Sequence, residues 1–146
     1  MKKILCLVIL LATATVPALL AQDSTSSAAT SPSVAKDSRC FELRTYYPAA
    51  GKFENLHARF RDHTNKLFVK HGMELVGYWV TTDKEQGDKL VYMLAHKSRD
   101  AAKKSWKEFG DDPEWKKVHA ESEANGKLVD KVESVFLAAT DYSPIK

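Results

Sequence analysis

From residue 40 onward the apolar and polar positions fall into two periods. Phe41, Leu43 and Thr45 alternate with Glu42, Arg44 and Tyr46, the two-residue repeat of a half-buried strand. After a turn at residues 48–51 the period lengthens. Stepping about 100° per residue from Phe60 places Phe53, Leu56, Thr64, Leu67 and His71 within about 40° of it. Arg59, Arg61, Asp62, Asn65, Lys66 and Lys70 fall on the far side. This predicts a helix over residues 52–71, stopped by Gly72 as its C′ residue. Residues 73–82 (MELVGYWVTT) and 89–96 (KLVYMLAH) are apolar and rich in strand formers, and the polar run 83–88 (DKEQGD) predicts a hairpin loop between them. Ser98 predicts the cap of a second helix reaching Phe109. Asp112 and Pro113 supply the N-cap and N1 residues of a third helix, which carries Trp115, Val118 and His119 and ends near Gly126. A last strand covers residues 132–139. The order β-α-β-β-α-α-β is the ferredoxin-like α+β plan, an antiparallel sheet with one extra helix.

The second and third strands are apolar on both faces. Leu75, Gly77 and Trp79 alternate with Val76, Tyr78 and Val80, and Leu90, Tyr92 and Leu94 alternate with Val91, Met93 and Ala95. A sheet that is apolar on both sides must be covered on both, and this topology places every helix on one. A large uncovered apolar face is rare on a monomer, so the expectation is a homodimer through the sheet face, a dimeric α+β barrel. With Phe41 and Leu43 taken as helix-facing, Arg44 and Tyr46 look into that barrel beside Glu42. There Arg44 reads either as the ion-pair partner of Glu133 on a neighbouring strand or as part of an anion or carboxylate site.

The first residues carry a different signal. Lys2 and Lys3 precede an apolar run at residues 4–11, residues 12–21 stay apolar or small, and Pro17 stands just before the small-residue end at Ala21. These are the three parts of a secretory signal. The run is short of the ~20 residues that span a bilayer, so residues 1–21 are expected to be cleaved rather than retained as an anchor. The protein is then exported, periplasmic or extracellular, with no stable membrane insertion after cleavage. Residues 22–39 are rich in Ser, Thr and Ala, contain no aromatic residue, and predict a disordered tether. Residues 40–146 form the domain.

Loss of Lys2 and Lys3 lowers the formal charge from +3 to +1 (+3 − 2). Lysines interleave with Asp and Glu from residue 83 to 131, so no basic face is offered to nucleic acid. Cys40 is the one cysteine left after cleavage. It reads as a small buried residue at a strand start or as half of a disulfide across the dimer.

Candidate chemistry is sparse. His57, His63 and His71 are spaced by six and eight residues, not the i, i+4 spacing that presents two imidazoles to one metal. No metal site is expected. His71, on the inward stripe beside Gly72, reads as a histidine favoured by the helix dipole, or as a pocket acid/base or haem ligand. Trp79, Tyr78 and Tyr92 read as core or as the lining of a ligand cavity, with Trp106 and Trp115 as walls. His119 and Glu123 form a lone i, i+4 pair. None of the GxSxG, HExxH, CxxC, P-loop or dinucleotide fingerprints occurs.

Four segments, FELRTYYPAAGK at 41–52, LFVKHGMELVGYW at 67–79, DPEW at 112–115 and TDYSPI at 140–145, occur in the order in which the NIPSNAP family carries them. Over residues 40–146 the chain resembles that family. The resemblance implies a dimeric α+β barrel. Animal members are mitochondrial and linked to vesicle traffic and mitochondrial quality control. The secretory signal and single domain depart from that type, so those roles are not carried over. The family offers no agreed catalytic residues to transfer. Two function classes remain. One is a binding or interaction module for a small apolar or aromatic ligand or for another protein, with Arg44, Tyr46, His71, Trp79 and Tyr92 as ligand-binding candidates. The other is an enzyme, since barrels similar to this one include cofactor-independent monooxygenases and haem-degrading enzymes. No cofactor is evident, and haem is the ligand that would discriminate between the two. N-terminal sequencing of the exported protein is expected to begin at Gln22; a chain that keeps Met1 and stays in the membrane fraction would contradict the signal reading.

Overall fold

The short period of the chain becomes four strands and the long period becomes helices. A computed structural model describes residues 31–146; the expected signal at residues 1–21 and residues 22–30 of the expected tether lie outside the described residues. Strands β1 (Cys40–Pro48), β2 (Glu74–Val80), β3 (Leu90–His96) and β4 (Val129–Ala138) form one sheet in the order β2-β3-β1-β4. All three pairings are antiparallel. Helices α1 (Phe53–Arg59), α2 (Asn65–Lys70), α3 (Arg99–Asp111) and α4 (Pro113–Ser122) cover one face of it. Local chemistry marks their ends. The Ser98 hydroxyl accepts from the Ala101 N–H at 3.1 Å, and Asp112 accepts from the Glu114 N–H at 2.8 Å. Gly72 takes φ +76° where the chain leaves α2, a backbone conformation that Cβ-bearing residues rarely adopt.

Between α1 and α2 the helix widens into a π-turn, Phe60–Thr64, in which the Asn65 N–H reaches back to the Phe60 carbonyl. Such a turn holds one residue more than an α-turn, so the residues beyond it are rotated back by about 100° relative to a straight wheel. Leu56, Phe60, Thr64 and Leu67 are buried as the wheel expects. Phe68, 1% exposed, joins them, and so does Arg59, 6% exposed, which a straight wheel places on the far side. The rotation moves the centre of the inward face toward Arg59. The Thr64 hydroxyl donates to the Arg59 carbonyl at 3.2 Å and answers an acceptor that the widened turn disturbs.

The sheet faces are the reverse of the expectation for β1. Glu42, Arg44 and Tyr46 point at the helices: Trp106 of α3 binds Glu42, and the Phe60 ring meets Tyr46 at 5.7 Å. Phe41, Leu43 and Thr45 point to the open face. Alternation says that the two sets are opposite, and does not say which is inward. In β2 the register shifts between Leu75 and Gly77, a bulge that makes Val76 the extra residue. Leu75 and Tyr78 therefore both pack on the helix-side core, while Val76 packs with Met93 and Phe41 on the other face. The grouping of Leu75 with Trp79 fails for that reason. The Trp79 indole lies across Gly77, where a Cβ would stand 2.7 Å from its Cη2.

The stretch read as a free tether is held from Ser33 onward. The Ala35 N–H donates to the Ala139 carbonyl at 2.9 Å and the Asp141 N–H to the Ser33 carbonyl at 2.8 Å. Ala35 is buried. These bonds occupy main-chain groups at the end of β4 that would otherwise lack partners.

Asp112 joins the end of α2 to the start of α4. Besides capping α4 it accepts from Lys70 Nζ at 2.8 Å and lies 2.7 Å from His71 Nε2. Lys70 first, then His71, hold its carboxyl well below the usual carboxylate range. Asp112→Ala is expected to cost about 2 kcal/mol, at the upper end of a lost N-cap. Asp112→Asn, which keeps the cap acceptor, should cost less. The shift in urea midpoint checks both.

Candidate functional site

Two polar groups are built into the helix-side face, one closed and one open. The closed one centres on Glu42, whose side chain is 1% exposed. One carboxylate oxygen accepts from Arg44 Nη1 at 2.7 Å and the Ser134 hydroxyl at 2.7 Å. The other accepts from Trp106 Nε1 at 2.6 Å and lies 3.2 Å from His96 Nε2. Burial pushes the Glu42 carboxyl up, but these donors, led by His96, outweigh it and hold it at about 2. The Arg44 guanidinium lies 4.2 Å from the centre of the Trp106 ring and 5.6 Å from that of Tyr46. Arg44 thus pairs with Glu42. Glu133, the expected partner, lies on the opposite face with Tyr47 and Lys131.

The open group lines a cavity of about 350 Å³ between the β1–β4 edge and the helix layer. Tyr46, Phe60, Phe68, Phe109 and Trp115 supply aromatic walls, and Arg59, His119, Glu123, Lys127 and Asp130 supply charged or polar groups. Tyr46 comes from the alternation of β1, and Phe60 and Phe68 from the rotation at the π-turn. Trp115 is presented by the first turn of α4, which Asp112 caps, and its ring centre lies 4.4 Å from that of Phe109. Arg59 Nη1 donates to Glu123 at 3.0 Å and to the Ser122 hydroxyl at 3.3 Å. Burial raises the Glu123 carboxyl, but the Leu128 N–H and then Arg59 bring it below its ordinary value.

The residues singled out from sequence divide among five places. Tyr46 lines the cavity. Arg44 belongs to the Glu42 cluster next to it. Tyr92 is wholly buried between them in the core, 5.3 Å ring to ring from Tyr46. Burial pushes its hydroxyl well above the ordinary phenol value, and pushes that of Tyr78 up to about 12; neither is a base at neutral pH. Trp79 lies on the open face, 53% exposed. His71 sits at the α2–α4 junction on Asp112 and is not among the cavity residues. Among the described residues no group of three or more His, Cys, Asp or Glu gathers in a way that could hold a metal. Arg59 and His96 escaped sequence reasoning. The i, i+4 pair His119 and Glu123 was legible, and beside it lay the signal for Arg59 that a straight wheel conceals.

An antiparallel ferredoxin-like α+β domain, helices on one face and a cavity at one sheet edge, is the class of protein defined here. The NIPSNAP family model matches residues 41–144, and the chain belongs to the NIPSNAP family. A NIPSNAP family protein of unknown function from Agrobacterium tumefaciens superposes with a TM-score of 0.68 at 20% identity, covering 77% of this chain and 98% of that one. A second protein from the same organism gives 0.63 at 23% identity, over 73% and 98%. An uncharacterised NIPSNAP domain protein from Burkholderia xenovorans gives 0.61 at 21%, over 72% and 98%. No curated protein matches the sequence. These likenesses show the fold.

The Glu42 cluster makes stability depend on acid. Its carboxyl titrates at about 2 in the fold against 4.5 in the unfolded chain. A depressed value contributes stability that is fully present above the unfolded pKa and is lost as pH falls through the folded one. Stability should therefore drop by about 3 kcal/mol between roughly pH 5 and pH 2. Glu42→Gln should flatten that part of the profile in urea unfolding at stepped pH.

Proposed function

We propose that the domain is an exported homodimeric binding module whose cavity holds a small apolar or aromatic molecule. The observation that carries the reading is the cavity itself. Five aromatic side chains surround about 350 Å³, a volume within the range of small-molecule sites, and a few polar groups converge on it. The Arg59 donor Nη1 is held by Glu123 and Ser122, and no nucleophile–base pair stands among the cavity residues. That composition favours binding over covalent catalysis.

The homodimer is supported by the open face of the sheet. Trp79 and Val135 are 53% and 52% exposed there and Leu137 is 39% exposed, beside the partly buried Leu43, Val91 and Met93. A second copy laid face to face would cover this patch symmetrically. Export is supported by the signal-like residues 1–21.

Native mass spectrometry of protein recovered from its own compartment tests the reading. The expected spectrum shows a dimer carrying a bound small molecule, and Trp79→Asp or Val135→Asp should convert it to monomer. A monomer at micromolar concentration, free of any bound molecule, would contradict both parts.

A further inference from the structure

A guanidinium is costly to place beneath aromatic walls unless its donors are answered. Arg59 is 6% exposed, and its Cζ lies 5.4 Å from the centre of the Trp115 ring. It lines the aromatic cavity and also a second cleft, of about 300 Å³, between α1 and α4. Arginine carries five N–H donors in a planar fork. Among the described residues, the hydrogen bonds of its side chain all come from Nη1, to Glu123 and Ser122. Nε is buried without an acceptor. The edge formed by Nε and Nη2 is one that carboxylates take in bidentate fashion. A buried donor left unanswered costs about 1–3 kcal/mol, so an acceptor arriving there meets a group already desolvated.

The remaining lining narrows the class of ligand. Two permanent cations, Arg59 and Lys127, face two carboxylates, Glu123 and Asp130. Both carboxylates already pair with cations of the chain itself. Glu123 already takes Arg59, the Leu128 N–H at 3.3 Å and, at 3.5 Å, His119; Asp130 takes Lys127 at 2.8 Å. A neutral aromatic molecule would use the walls and leave the Arg59 edge unanswered. The cavity has room for about a dozen water-sized atoms, which suits one ring, or two fused rings, with a short acidic arm. We infer that the ligand is a small aromatic carboxylate, its ring against Trp115 and Phe109 and its carboxylate on Arg59. This rests on the binding reading above and names the ligand class for the same cavity.

Three probes of equal length and ring separate the possibilities: 3-phenylpropionate, 3-phenylpropylamine and 3-phenylpropanol. Each is titrated into the purified protein while the Trp115 indole N–H signal is followed by NMR. The acid is expected to move that signal and to bind about tenfold tighter than the amine or the alcohol, the discrimination of a charge-assisted pair. Arg59→Gln should remove that advantage and leave the binding of the alcohol unchanged. Glu123→Gln, which deletes the competing carboxylate and keeps an acceptor for Leu128, should tighten the acid several-fold, so the test survives if Arg59→Gln does not fold. Amine or alcohol binding as tightly as the acid would overturn the carboxylate assignment and leave the cavity reading standing. No movement of Trp115 with any probe would overturn both.

Discussion

One extra residue in a helix sets the geometry of the whole helix-side layer. The π-turn at Phe60–Thr64 rotates α2 against α1, so Phe68 faces the sheet together with Phe60. Phe60 then meets Tyr46, Tyr78 and Tyr92 at 5.7, 5.9 and 5.2 Å, and Phe68 meets Trp106 and Phe109 at 5.3 and 5.0 Å. Ring pairs at these separations add about 0.5–1.5 kcal/mol each beyond their burial. The same rotation turns Arg59 inward, toward Trp115 and Glu123. A straight helix would offer the sheet a narrower apolar stripe and would leave Arg59 in solvent. Such widened turns recur at functional sites, and this one borders the cavity through Phe60 and Thr64.

Chemistry on the helix side and packing on the open side are linked through β1. Its helix-facing residues are unusually polar, Glu42 and Arg44 beside Tyr46, and they are tolerated because α3, β3 and β4 supply Trp106, His96 and Ser134. Breaking a buried ion pair by removing one partner is strongly destabilising, so Glu42 and Arg44 act as a lock between sheet and α3. The other face of β1 is apolar and continues into Met93, Val135 and Leu137. A single chain has helices for one face only. The proposed second copy answers that imbalance and leaves the cavity, on the helix side, free for a ligand.

Much of this was legible in the chain. Strand and helix periods, the Ser98 and Asp112 caps and the stop at Gly72 are local signals, and the elements fall close to where they point. What stayed hidden depends on tertiary partners. Alternation in β1 is symmetric, so nothing in it says that Glu42 rather than Phe41 is inward until Trp106 and His96 arrive as donors. The bulge at Val76 shifts the faces of β2 by one residue, with no Gly-Gly or Pro to announce it. The π-turn leaves no composition mark, and so Arg59 reads as surface. His71 did lie on the inward side, but what it meets there is the Asp112 cap. The residues of the cavity come from β1, α1, the π-turn, α2, α3, α4 and β4, a convergence that only the fold can display.

On the proposed reading, the space beneath Trp115 and Arg59 is a ligand site rather than a packing gap. A crystal structure of protein isolated from its native source, without additives that could occupy the space, tests it most directly. Density is expected for a planar molecule between Tyr46, Phe109 and Trp115, with an oxygen within hydrogen-bond distance of Arg59. Density for water alone, or a Trp115 ring collapsed onto Phe60 with the space closed, would contradict it.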